Sequence, residues 1–173
     1  MTELEVWLPW ARRNYGRSDA IRFVRDSSAS WVEARAFDFA IRRRDDPKLH
    51  VGNVSVWHTS RREQAGEIGY WVRSSVAGTG VATEATARVL EVAFDELELH
   101  RVTLRIAVGN RASERVAEKL GFVQEGLLRK EVFVQGAWMD HTLWAMLDEE
   151  FEERRAAYRE AGWLAEASTG PVE

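Results

Sequence analysis

At 173 residues and 45% apolar content, the chain has the size of one domain and enough apolar surface for a single buried core. Its 28 acidic and 24 basic side chains leave a net charge of -4, which argues against nucleic acid as a partner because no general attraction to phosphate backbones remains. There is no cysteine, so neither a disulfide framework nor thiol chemistry of the protein's own is expected, and a cytoplasmic setting fits.

The opening "MTELEVWLPWARRNYG" is broken by charges and a proline, and no later stretch reaches the roughly 18 apolar residues of a membrane span, so no membrane partner is expected. Ser18 is expected to cap a short helix, "DAIRFVRDS", with Ile21 and Val24 on one face. From Ala36 the pattern alternates: "AFDFAIRR", "LHVGNVSVW" and "GEIGYWVR" read as three strands of an antiparallel meander. A strand, a glycine loop, a helix and a further strand follow, Ile68 to Arg73, "SSVAGTG", Val81 to Leu97 and "HRVTLRIAV", a unit able to set two strands parallel through a right-handed crossover. Asn110 is a good cap for "RASERVAEKL", and Gly121 fits a left-handed stop. Glu131 to Met146 reads as a hairpin turning at Gln135 and Gly136, "DEEFEERRAAYREAG" as a charged helix, and "EASTGPVE" as a frayed tail. His50, His58, His100 and His141 are scattered without metal-ligand spacing, so no metal is expected, and His141 beside Asp140 reads as a satisfied structural histidine.

Gly78 and Gly80 stand directly ahead of the helix at Val81. A helix N-terminus offers unpaired amides and a partial positive charge, and glycines let an anion approach without meeting a Cβ atom. The same spacing serves an ordinary turn between strand and helix. Val81 and Ala82 stand where a nucleoside-triphosphate loop needs Lys and Ser or Thr. A dinucleotide fold needs a small residue where Thr83 stands and an acidic residue ending the next strand, which here ends in "AVGN".

"EIGYWV", "GTGVATEA", "LHRV", Asn110 to Ser113 and "EKLGFVQEG" stand in the order found in the GNAT acyltransferase superfamily, which the chain resembles from about Trp7 to Leu147. More narrowly it is similar to the bacterial branch that acetylates the N-terminal amino group of ribosomal proteins, and "WLPW" resembles that branch too. The resemblance implies an α/β fold with a mostly antiparallel mixed sheet, helices on both faces and a splayed parallel pair of strands holding acetyl-coenzyme A. Residues 1–150 would form one acetyltransferase domain, and 151–173 a C-terminal helix and tail.

By this resemblance Ala77, Gly78, Thr79, Gly80, Val81, Ala82 and Thr83 seat the cofactor's pyrophosphate, with Gly80 and Ala82 as the signature small residues. Ala77 replaces the usual Gln or Arg, and Thr79 a frequent basic residue, so backbone amides would carry most of the binding. Asn110 would contact the pantetheine arm, and Ser113 would hydrogen-bond the coenzyme sulfur. A backbone N–H near Trp71 or Val72 would hold the oxyanion. Glu67, in a strand beside apolar neighbours, is the candidate base, since partial burial raises a carboxyl pKa toward neutrality. Trp7, Trp10 and Trp138 are candidate substrate-groove residues.

The acceptor is expected to be a primary amine, on a protein N-terminus or a small molecule; a non-catalytic acyl-coenzyme A binding module is the alternative. Only six residues precede Trp7, so the family's first strand is expected to be missing. That would leave a sheet edge to be covered, either by the C-terminal segment with Phe151, Tyr158 and Trp163 or by the second subunit of a homodimer.

Overall fold

The computed structural model describes residues 3–11 and 14–166, so most of the expected tail lies outside the described residues. After a 3-10 turn, Glu3–Val6, the first long element is α1, Arg17–Val32. It begins at Gly16 and not at Ser18, because the Asp19 carboxylate accepts a 2.9 Å hydrogen bond from the Gly16 N–H and closes the first turn there.

Three strands follow, β1 (Ala36–Arg42), β2 (His50–Ser60) and β3 (Ala65–Val72), in the expected antiparallel meander. The next helix, α2 (Val81–Glu91), gives way to a π turn at Val92–Glu96, closed by the Leu97 N–H donating to the Val92 carbonyl at 3.0 Å. The expected unbroken α-helix to Leu97 is therefore corrected: the wider turn accommodates Ala93 and Phe94, both buried. Beyond β4 (Arg101–Ala107) lies α3 (Arg111–Leu120), capped by Asn110, whose Oδ1 accepts from the Ser113 N–H at 3.2 Å. Gly121 ends it with φ +78°.

The hairpin β5 (Val123–Val134) and β6 (Ala137–Leu147) turns at Gln135 and Gly136, both with positive φ. It starts earlier than the alternation suggested, because register shifts between Gln124 and Gly126 and between Leu128 and Val132 interrupt the period of two. The sheet order is β1-β2-β3-β4-β6-β5, with β3 and β4 the parallel pair.

Even-numbered residues of β2, β3, β4 and β6 (Val54, Val56, Ile68, Val102, Leu104, Ile106, Trp144 and Met146) pack the core against Leu90 of α2 and Leu120 of α3. The final helix, α4 (Asp148–Glu160), closes that core: Phe151 is fully buried, its ring 5.1 Å from Phe94 and 5.8 Å from Tyr158. The Tyr158 hydroxyl donates to the Leu120 carbonyl, and Arg155 pairs with Asp95 of the π turn.

Among the described residues no strand precedes α1, so β1 is an edge of the sheet. The C-terminal segment does not cover that edge. Its aromatic anchors are used on the α2 and α3 side, and α1 lies beside β1 instead. Trp31 donates its indole N–H to the Asp38 carbonyl at 3.3 Å, and its ring meets Phe37 and Phe39 at 5.0 and 5.3 Å. Ser27 donates to the Asp38 carboxylate at 2.7 Å.

Two substitutions test these assignments by urea unfolding. Phe151→Ala should cost about 3 to 5 kcal/mol, as truncation of a fully buried aromatic does; a loss below about 1 kcal/mol contradicts α4 as a lid on the core. Asn110→Ala should cost about 1 kcal/mol through loss of the α3 cap, and an unchanged midpoint contradicts that cap.

Candidate active site

The site is built on an interruption of the sheet. β3 pairs with β4 over Ala65↔Arg101, Gly66↔Val102 and Glu67↔Thr103 only. Beyond that point β3 stays in register with β2 as far as Val72↔Gly52, and β4 stays with β6 as far as Ala107↔His141. Each strand follows its own antiparallel partner, and the two separate into a fork. The backbone groups of a strand point alternately to its two sides. Arg73 donates to Val51 on β2, and Gln64 accepts from His100 next to β4. By that alternation the amide of Val72 faces the fork, and that of Trp71 faces β2.

Glu67 sits at the base of the fork with 8% exposure. Its pKa is raised by burial, opposed by the hydrogen bond and charge of Arg105 and reinforced by the nearby charge of Glu131. The Arg105 Nε donates to the Glu67 carboxylate at 2.9 Å, and the Arg105 Nη1 to Glu131 at 2.8 Å. Behind Glu131 lies His141, buried, with its Nδ1 3.8 Å from the Glu131 Oε2. Neither atom has a hydrogen-bond partner among the described residues, so the expectation of a satisfied histidine is corrected. Asp140, its expected neighbour, accepts from the Lys130 N–H instead, at 2.7 Å. Glu131 and Asp140 also line a cleft of about 730 Å³ beside the β5 irregularity.

The loop after β3 carries Gly78 at φ +76° and Gly80 at φ +91°, and a Cβ added at either would meet nothing within 4 Å. Both conformations lie in the left-handed region that glycine adopts without steric cost. Glu84 is the first residue of α2 whose amide closes a helical bond, to the Gly80 carbonyl at 3.0 Å. The amides of Val81, Ala82 and Thr83 ahead of it have no partner among the described residues, as the first turn of a helix dictates. Ala77 and Thr79 are exposed, and the Thr79 hydroxyl is turned back to the Val76 carbonyl at 2.7 Å.

On the other arm of the fork, α3 brings Asn110 and Ser113 to the end of β4. Tyr70 reaches across from β3 and donates to the Ser113 carbonyl at 3.4 Å. Burial pushes the Tyr70 pKa up to about 12, so its phenol stays protonated as a donor. The Ser113 hydroxyl has no hydrogen-bond partner among the described residues.

The expected site residues are only partly gathered. Trp71 shares the Glu67 side of β3, and its ring packs edge-on to Trp10 at 5.8 Å and to His50 at 5.5 Å. Trp7 is half-buried near the N-terminal turn, while Trp138 is 60% exposed and stacks with Phe133 near the hairpin tip, with no aromatic contact to Trp10 or Trp7 among the described residues. Trp10 is therefore the one of the three placed beside Trp71. The sequence alone does not single out Arg105 and Glu131, and it places His141 with Asp140 rather than with Glu131. The available signal was the parity of Arg105 with Thr103, which puts its side chain on the Glu67 side of the sheet.

The sequence matches the Acetyltransferase (GNAT) domain over residues 1–123. It is 38% identical over 118 residues to the probable N-acetyltransferase YjcK of Bacillus subtilis (strain 168), covering 68% of this chain and 65% of that one. It is 37% identical over 101 residues to the putative ribosomal N-acetyltransferase YdaF of the same organism, covering 58% and 55%. The matches thus span less than two thirds of either relative's length. Among solved structures, Mycobacterium smegmatis RimJ in complex with CoA-disulfide superposes with a TM-score of 0.78 at 31% identity, covering 90% of this chain and 78% of that one. The fork, the glycine loop and the family match agree: the chain belongs to the GNAT acetyltransferase family.

Proposed function

We propose that this protein is an acetyl-coenzyme A dependent N-acetyltransferase acting on a primary amine, a protein N-terminus or a small amine, by direct attack in a ternary complex. The observation that carries the reading is the end of the β3–β4 ladder at Glu67↔Thr103, with a buried carboxylate at the base of the opening. The names of YdaF and of the RimJ complex with CoA-disulfide support the class of reaction and the coenzyme.

The chain's residues fit that coenzyme. The left-handed glycines leave open space for the pyrophosphate, and the amides of Val81, Ala82 and Thr83 would hold it with the positive end of α2. Asn110 would contact the pantetheine arm. When bound, acetyl-coenzyme A supplies an acetyl group activated as a thioester, so that a C–N bond forms with the acceptor as the C–S bond breaks and its electron pair leaves on sulfur.

Glu67 takes the proton that the attacking amine must lose, directly or through one water. Burial makes its carboxylate a stronger base than an exposed one. The Val72 amide, on the fork side of β3, donates to the oxygen that gains charge. Ser113, with its hydroxyl unengaged, donates a hydrogen bond to the departing sulfur. Trp10 and Trp71 form an aromatic wall on the Glu67 side, where the acceptor would approach.

One observation favours a second reading, a non-catalytic acyl-coenzyme A binding module: the Glu67 carboxylate is already engaged by Arg105. Two measurements decide. Acetyl-coenzyme A and coenzyme A should each raise the melting temperature while NADH does not, because only a ligand of the folded state stabilises it; no shift with either coenzyme species contradicts both readings. Thiol release with a panel of peptides and small amines should then fall about 10²- to 10⁴-fold in kcat for Glu67→Gln, with a smaller loss for Ser113→Ala. Coenzyme binding with no thiol release across the panel would favour the binding module.

A further inference from the structure

We propose that Arg105 is a positioning residue for the proton-accepting carboxylate, and that Glu131 sets its grip. The inference rests on the reading of Glu67 as the base, and begins from what the two strands do at the fork. Main-chain pairing between β3 and β4 ends at Glu67↔Thr103. Two residues further along β4, on the same side of the sheet, Arg105 sends its Nε back to Glu67 at 2.9 Å, bridging the strands by side chain where the backbone no longer does. A guanidinium presents its donors in a fixed plane, so one held at its far end is oriented at its near end. That far end is fixed by Glu131 on β5, at 2.8 Å from Nη1.

The arrangement has a chemical consequence. An unpaired carboxylate buried as deeply as Glu67 would take up a proton before meeting an amine and would then be unable to act as a base. A carboxylate held by an undivided guanidinium would be a weak proton acceptor. Sharing Arg105 between two carboxylates gives an intermediate hold: Glu67 stays charged and aimed into the fork, yet competes for the cation with Glu131. Linked to Glu67 by contact are Arg105 from β4, Glu131 from β5 and His141 from β6, while β2 presents the uncharged Trp57 opposite Glu67; on the same side Arg101 of β4 is turned to Glu125 and His50 of β2 lies against Trp71. The His141 Nδ1 lies 3.8 Å from the Glu131 Oε2, the carboxylate oxygen that Arg105 does not hold.

The hold and the reaction can be measured separately. The Glu67 side-chain carboxyl is followed by ¹³C NMR against pH in the wild type, Arg105→Met, Glu131→Gln and Arg105→Lys, and kcat/KM for thiol release is followed over the same range. Arg105→Met should raise the Glu67 titration, and Glu131→Gln should lower it, because the first removes the cation and the second removes its competitor. The acidic limb of the kcat/KM profile should move with each, so that Arg105→Met loses about tenfold or more on that limb. Arg105→Lys, which keeps the charge without the fork, should restore the titration most of the way while kcat stays reduced. A Glu67 titration that is unchanged, or moves the same way in Arg105→Met and Glu131→Gln, overturns the inference. Titrations that move in opposite directions while the kinetic limb stays fixed overturn Glu67 as the base and leave the grip of Arg105 standing.

Discussion

The structure depends on a ladder that stops. β3 and β4 share three residue pairs, while β3 holds β2 and β4 holds β6 along nearly their whole lengths. Two antiparallel units are thus joined by a short parallel seam, and the sheet opens where the seam ends. Backbone amides freed by that opening have no partner in the sheet, an arrangement tolerated where a ligand or water can meet them. Glu67 at the last pair and Tyr70 reaching across to the N-terminus of α3 define the two sides of the opening.

What keeps the fork open is the packing behind it. The face of the sheet opposite Glu67 is covered by α2, α3 and α4, whose apolar side chains meet the even-numbered residues of β2, β3, β4 and β6. Phe151 and Tyr158 pin α4 beside Phe94 of the π turn and the end of α3, and Leu90 and Leu120 complete the layer. Both arms of the fork rest on this one layer. The Glu67 side carries a cation shared by two carboxylates, a histidine, an aromatic pair and, toward β1, Asp38 held by Ser55 and by Ser27 of α1.

Much of this was legible in the sequence because it is local. The glycine loop, the capped α3, the meander and the crossover unit each rest on neighbours in the chain, and the family resemblance followed from their order. The Asn110 cap and the Gly121 stop appeared where their residue types require. The start of α1 was misplaced because Gly16 carries no side chain to announce a cap, and only Asp19 reaching back marks it. Of the two covers expected for the β1 edge, the C-terminal segment is not the one, because aromatic residues at helical spacing do not say which surface they bury. Arg105, Glu131 and His141 could not be joined from sequence, since they lie on three strands and the register of Glu131 depends on two irregularities in β5. A slip of one residue would turn Glu131 to the other face. By the parity of β3 the Val72 amide faces the fork and the Trp71 amide faces β2, a difference of register that sequence does not carry.

The central claim is that the fork beyond Glu67↔Thr103 is where the thioester lies. A crystal structure with coenzyme A tests it most directly. The pantetheine arm should lie between β3 and β4 beyond that pair, its sulfur beside Ser113 and the Val72 amide, and its pyrophosphate on the amides of Val81, Ala82 and Thr83. Coenzyme bound on another surface, with the two strands closed against each other beyond Glu67, would contradict it.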